Sequence, residues 1–294
     1  MRSAVRGAAL VTLGYLLATL PFFLRGAMSS GRTVIGLVHV ASLGATWWSL
    51  RSSGERRVIA DWLPLLLVPI LYAELPYLNA AWGTFYDPRV RGWEAALFGT
   101  QPARTLAPAM PSVALSELLH LGYLLYYPIV YVPPLLLYVR DRQEEFGRTV
   151  LAIMLTYCVC FLTFVLFPVE GPRYAWGPAA GAPAGPLRSL ALALLERGSS
   201  RGTAFPSSHA AVAVAQGVMA VRYQPRVGAA VLVTSLLLMV GAVYGGFHYA
   251  VDVMAGGALG FVVAMAVAVG SGASNSRRDG HLRRSDPLPN LTRP

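Results

Sequence analysis

The chain has 294 residues, 55% of them hydrophobic and 13% charged, with a mean hydropathy of +0.52. A soluble domain carries about 25% charged residues, so most of this chain belongs in lipid. Its formal charge of +10 comes from arginine alone, since lysine is absent, and the arginines cluster between apolar stretches. That is the distribution of membrane topology signals, not of a nucleic-acid groove, and no nucleic-acid partner is expected.

Residues 7–24 and 33–50 each run 18 positions without a formal charge, enough for about 27 Å of helix at about 1.5 Å per residue. The first is too long for a signal-peptide core and has no A-x-A cleavage site, so it reads as a span. A third span covers residues 62–82, interrupted by Pro64, Pro69, Glu74 and Pro76, with Glu74 paired inside the bundle. Residues 83–111 are amphipathic and turn-rich, and Trp93–Gly99 (WEAALFG) reads as a short interfacial helix. The fourth span, residues 113–139, carries Glu117 and His120 near its start and Tyr123, Tyr126 and Tyr127 one turn on. Glu117 and His120, at i,i+3, read as a polar contact that supports a catalytic loop, and the tyrosines as interface anchors and bundle packing.

The fifth span, residues 149–168, holds Cys158 and Cys160. At i,i+2 they point to opposite sides of a helix, cannot pair, and serve as small buried apolar residues. A glycine- and proline-rich loop follows, beginning VEGPRYAWGPAAGAPAGP, with a surface helix over residues 187–195. The sixth, seventh and eighth spans cover residues 206–222, 227–247 and 249–270. From 271 onward the chain is polar and basic, and disorder is expected.

The expected fold is therefore an all-α integral membrane protein of about eight transmembrane helices. It divides into an N-terminal pair of spans (1–57), a six-helix core (58–270) and a disordered basic cytoplasmic tail (271–294). With the N-terminus inside, the inner segments hold most of the arginines, including Arg51, Arg140, Arg142 and Arg148, against nine in the outer loops. Both termini are then cytoplasmic. Parity sends Gly171-Pro172-Arg173, Ser207–His209 and Tyr244–Asp252 to one extracytoplasmic face. The alanine-, glycine- and arginine-rich usage points to a bacterial plasma membrane.

His248 and Asp252 are spaced i,i+4 and share one helix face. The pair suits a structural hydrogen bond, or a nucleophile whose tautomer the carboxylate fixes. His209 follows Pro206-Ser207-Ser208, a sequence that opens a helix, and the free N–H groups of such a turn favour an anion such as phosphate. His209 suits a general acid, Arg173 a fork for phosphate oxygens, and Ser207 and Ser208 donors to the equatorial oxygens. Neither the cysteines nor the histidines make a zinc pattern, and with arginine and backbone dipoles supplying positive field, no metal or cofactor is expected.

Pro206-Ser207-Ser208-His209 and His248-x-x-x-Asp252 resemble the second and third motifs of the type 2 phosphatidic acid phosphatase superfamily, and Phe167-Pro168-Val169-Glu170-Gly171-Pro172-Arg173 looks like a divergent first motif. The resemblance covers roughly the last six spans. It implies His248 as nucleophile, Asp252 as its relay partner, His209 as leaving-group acid, and Arg173 and Ser207 on the phosphate. The usual first motif has a lysine, and the usual third motif an arginine six residues before its histidine, where this chain has Gly241-Ala242. Arg201 is the candidate replacement. The form His-Tyr-x-x-Asp is similar to the inositol phosphorylceramide synthase branch.

The first reading is thus a metal-independent phosphatase for lipid phosphate monoesters or diphosphates, acting through a phosphohistidine, with lipid phosphate and membrane lipids as its partners. The alternative is a lipid phosphotransferase moving a phosphorylated headgroup to a lipid hydroxyl. A third is a non-catalytic lipid-binding membrane protein.

Overall fold

A computed structural model describes residues 3–23, 30–52, 57–79, 83–179 and 181–282. These residues form an all-helical bundle. In chain order the helices are α1 (Ser3–Phe23), α2 (Ser30–Arg51), α3 (Arg57–Asn79), α4 (Asp87–Phe98), α5 (Pro102–Ala109), α6 (Val113–Leu124), α7 (Tyr126–Val139), α8 (Gln143–Leu166), α9 (Pro172–Trp176), α10 (Pro186–Gly198), α11 (Ser208–Tyr223), α12 (Pro225–Tyr244) and α13 (Ala250–Leu282).

Six of the described helices, α1, α2, α3, α8, α12 and α13, are long and apolar enough to cross a membrane, and α6 with α7 makes a seventh if that bent pair counts as one span. The sixth expected span is α11, which at 16 residues is too short to qualify by length. It nevertheless sits at the centre, packed against α7, α8, α12 and α13. The fourth expected span bends by 45° at Leu125. The cause is Pro128, which lacks an N–H and whose ring opposes the carbonyl four residues back, that of Leu124. Pro64, Pro69 and Pro76, in contrast, do not interrupt α3, which runs 23 residues through all three. The last helix continues past residue 270 to Leu282, so the expected disorder does not start at 271. The rest of the expected tail, 283–294, lies outside the described residues.

Glu74 is paired as expected: its Oε2 lies 2.8 Å from His39 Nδ1, while His39 Nε2 donates to the Leu16 carbonyl at 2.9 Å, tying α1, α2 and α3 together. Cys158 and Cys160 are buried and unpaired. The surface helix expected over 187–195 is α10, and Glu117 caps it, accepting from the Leu187 and Arg188 N–H groups at 2.8 and 3.1 Å.

The closest helix contact joins α11 and α13. A Cβ added at Gly256 would lie 2.3 Å from the Ser207 carbonyl oxygen, and one at Gly260 1.9 Å from that of Ala211. Gly256-x-x-x-Gly260 is a small-residue stripe that lets two backbones touch where lipid gives no hydrophobic drive for association. The first turn of α13 is held from outside by α4, because Glu94 Oε1 accepts from the Ala250 N–H at 2.9 Å. Negative charge at a helix N-terminus is favourable.

Two outcomes test these packing statements. Gly260→Leu should cost about 3 kcal/mol or more by overpacking, read as a lower melting midpoint in detergent. Gly270→Leu, with open space around it, should melt like the unaltered protein, and equal midpoints for both would refute the close contact. Burial raises the Glu94 carboxyl from 4.5 to about 7, against the opposing pull of the Ala250 N–H. A folded-state value above the unfolded one means the linked stability is complete below the unfolded value and is lost as pH rises through about 7. Glu94→Gln should therefore flatten the decline in melting midpoint between about pH 5 and about pH 8.

Candidate active site

Three turns meet at one end of the bundle. The first leaves α8 at Phe167 and enters α9 through Gly171 and Pro172. Val169 and Thr203 pair in a short parallel bridge, with the Ala204 N–H donating to the Val169 carbonyl at 2.8 Å. The second turn opens α11, where the Ser207 N–H donates to the Asp252 carbonyl at 2.9 Å. The third closes α12: the Phe247 and His248 N–H groups both reach the Ala242 carbonyl, at 2.9 and 3.1 Å. Gly246 makes that turn possible, with φ +71 and the Cβ of Ala179 only 3.1 Å from where its own Cβ would stand. The three polar clusters of the sequence are thus bonded to one another.

His248 is 6% exposed. Its Nδ1 lies 3.1 Å from the Ala204 carbonyl oxygen. A carbonyl can only accept, so Nδ1 carries the hydrogen and Nε2 keeps its lone pair. Burial pushes the imidazole down to about 4, with the Ala204 carbonyl acting the other way. The ring is therefore neutral, and its free nitrogen nucleophilic, near neutral pH.

Asp252 stands farther from the histidine than a relay requires. Its Oδ2 is 3.5 Å from His248 Nδ1 and accepts instead from the Tyr249 N–H at 2.9 Å. This is the reach of an N3 carboxylate back to its helix cap. The carbonyl of Ala204, not Asp252, sets the tautomer. Asp252 places its carboxyl group next to the ring, and its Oδ1 is buried without a hydrogen-bond partner.

His209 lies in the first turn of α11. Its ring stacks on Tyr123 with centroids 5.3 Å apart, tilts over Tyr126 at 4.2 Å, and sits 6.1 Å from the His248 ring. Both histidines border a small polar pocket of about 40 Å³ together with Arg173, Tyr174, Glu170 and Ser199. Arg173 Nη2 donates to Tyr174 Oη at 2.9 Å and to Ser199 Oγ at 2.8 Å, which holds its fork at the pocket.

The remaining expected phosphate contacts divide. Ser208 lines the larger cavity beside His209. The Ser207 side chain is fully buried and serves as the N-cap of α11, accepting from the Ala210 N–H at 3.3 Å. Arg201 is paired with Glu170, stacks over Phe85 and Tyr174, is 62% exposed, and borders neither pocket. Its charge reaches the site only by neutralising Glu170, so it does not replace the missing cations by direct contact. Among the described residues no group of three or more metal-ligating side chains converges.

A second cavity, of about 590 Å³, also borders His209 and lies between α3, α7, α8, α10 and α11. Tyrosine faces and aliphatic side chains dominate its wall, among them Tyr72, Tyr127, Tyr157, Phe161 and Leu194, and Arg197 stands at its border. Sequence reasoning missed this chamber, and it missed Tyr72, which belongs to α3. Tyr72 Oη lies 3.1 Å from Thr203 Oγ1 and accepts from the Ser200 N–H at 3.3 Å, fixing the segment ahead of α11.

Asp87 was also missed. Its carboxylate accepts from the Glu170 and Gly171 N–H groups at 2.8 and 2.9 Å and from Tyr249 Oη at 3.0 Å. No local pattern marks it, because its partners lie far along the chain.

No curated protein and no solved structure matches the chain. The profile of the PAP2 superfamily matches residues 90–266, a stretch that contains α6 to α12, most of α13, and all three turns. With more than half of its length matched, the chain belongs to the PAP2 superfamily, and its activity is of the phosphatase or phosphotransferase type.

Proposed function

We propose that the protein hydrolyses lipid phosphate monoesters or diphosphates through a phosphohistidine intermediate. The observation that carries this reading is that His209 borders two chambers. A small polar pocket bordered by both histidines and Arg173 shares His209, Tyr72 and Tyr123 in its wall with an apolar, tyrosine-lined cavity of about 590 Å³. A volume of that size falls within the range of about 300–1,000 Å³ typical of small-molecule sites. An amphiphile with one phosphorylated end fits such a pair, its apolar part among the tyrosines and its phosphate between the imidazoles.

In the first step His248 Nε2 attacks phosphorus, a P–N bond forms, and the P–O bond to the lipid breaks. The imidazolium of His209 gives its proton to the departing oxygen. The negative charge of the bound phosphate favours that imidazolium. In the second step water attacks phosphorus, His209 takes the water proton, and the P–N bond breaks to return neutral His248 and inorganic phosphate. Arg173 stabilises the charge on the equatorial oxygens. Asp252, 3.5 Å from the ring, stabilises the positive imidazole of the intermediate. The arginine distribution along the chain supports an extracytoplasmic site with both termini in the cytoplasm.

Phosphate release from a panel of lipid phosphates by purified protein in detergent tests the proposal. His248→Ala should lower kcat by about a thousandfold or more, since the nucleophile is lost. Asp252→Asn should lower it by only about ten- to a hundredfold, as expected for a group that orients and stabilises the reacting ring. Turnover retained in His248→Ala would refute the reading. A labelled phospholipid formed from the same substrates only when diacylglycerol or ceramide is added would assign transfer in place of hydrolysis.

A further inference from the structure

Asp87 lies at the start of α4, on the amphipathic segment between the third and fourth spans, and is 7% exposed. It borders neither pocket. Its three hydrogen bonds nevertheless reach two different parts of the site. The Glu170 and Gly171 N–H groups belong to the turn that presents Arg173, two residues beyond Gly171. The Tyr249 hydroxyl belongs to the residue that follows His248. Tyr249 is wholly buried, its N–H is held by Asp252, and its ring meets Trp176 of α9 edge-on at 5.8 Å. A single carboxylate therefore joins the segment that grips phosphate to the segment that attacks it.

We propose that Asp87 is a positioning residue that fixes Arg173 relative to the His248 ring; this rests on the lipid-phosphate reading above. Burying a carboxylate is costly, and apolar residues in its place would cost less if stability were the only need. What the carboxylate supplies is geometry. Its two oxygens accept from three donors, and hydrogen bonds to an ionised carboxylate are about twice as strong as neutral ones. Misplacing a reacting group by about 1 Å can cost about a hundredfold in rate, so a rigid tie between binder and nucleophile acts directly on turnover. Glu94, two turns further along α4, adds a parallel tie to the next residue, Ala250.

A double-mutant cycle tests the inference, with the full-length protein in detergent and a long-chain lipid phosphate as substrate. Tyr249→Phe removes one donor and leaves the Glu170 and Gly171 bonds intact; it should lower kcat by about tenfold with KM little changed. Asp87→Ala removes both acceptor oxygens and with them all three bonds; it should lower kcat by about a hundredfold and also raise KM, because the Arg173 turn is released. The double variant should be no worse than Asp87→Ala within about twofold, since the tyrosine bond is already gone. Multiplicative losses would overturn the inference, as would Asp87→Ala with unchanged kcat and KM. Should Asp87→Ala not fold, Tyr249→Phe decides alone: unchanged kcat at an unchanged melting midpoint overturns it. His248→Ala, measured alongside, separates the two levels. An inactive His248→Ala with multiplicative Asp87 and Tyr249 effects sinks only the positioning role, whereas an active one sinks the underlying reading as well.

Discussion

Polar groups at the end of an apolar bundle must find their partners within the chain, because lipid offers none. The backbone N–H groups of the three site-forming turns find acceptors within the chain, some a few residues away and some on another segment. The turn after α8 is bonded to Ala204 and Asp87, the cap of α11 to the Asp252 carbonyl, and the start of α13 to Asp252 and Glu94. The same bonds that remove the desolvation cost also fix the site. Rigidity here is a by-product of satisfying buried hydrogen-bond groups.

The two histidines have unlike surroundings, and their proposed roles follow from that difference. His248 is held by a carbonyl that accepts from Nδ1 and has a carboxylate nearby. His209 is flanked by aromatic faces, Tyr123 and Tyr126. The break at Leu125 gives the second arrangement its shape, since it separates the helix that carries Tyr123 from the one that carries Tyr126. Tyr126 in turn hydrogen-bonds Tyr157 of α8. A straight helix through this region would present these rings on a different line. The bend created by Pro128 thus contributes to the wall of the large cavity as well as to the setting of His209.

The N-terminal helices are more than an appendage to the matched region. Tyr72 and Asn79 of α3 hold the segment ahead of α11, the latter donating to the Arg201 carbonyl at 2.8 Å. The buried His39–Glu74 pair ties α3 to α1 and α2. Through α3, the part of the chain before residue 90 reaches the pocket wall.

Much of this protein was legible in its residues. Apolar runs of membrane length located the spans, because a helix has to cover the bilayer with side chains that lipid accepts. The spacing His248-x-x-x-Asp252 and the opening Pro206-Ser207-Ser208-His209 marked the candidate site residues, because helix geometry is local and i,i+4 neighbours come close whatever surrounds them. Contacts between distant segments were not legible. Asp252 at four residues from His248 reads as its hydrogen-bond partner, yet Ala204, 44 residues away, is nearer. Ser207 reads as a phosphate donor and is used as a helix cap, and Arg201 reads as a phosphate cation and is used against Glu170. Asp87 meets Tyr249 across 162 residues and Glu94 meets Ala250 across 156. The sequence by itself determined the helical membrane class and the histidine–aspartate set, which depend on periodicity and short spacing. Only the tertiary structure decided which acceptor sets the His248 tautomer, where the large apolar cavity lies, and that α4 is bonded to the site-forming turns, because each depends on which groups come within reach of one another once the helices pack.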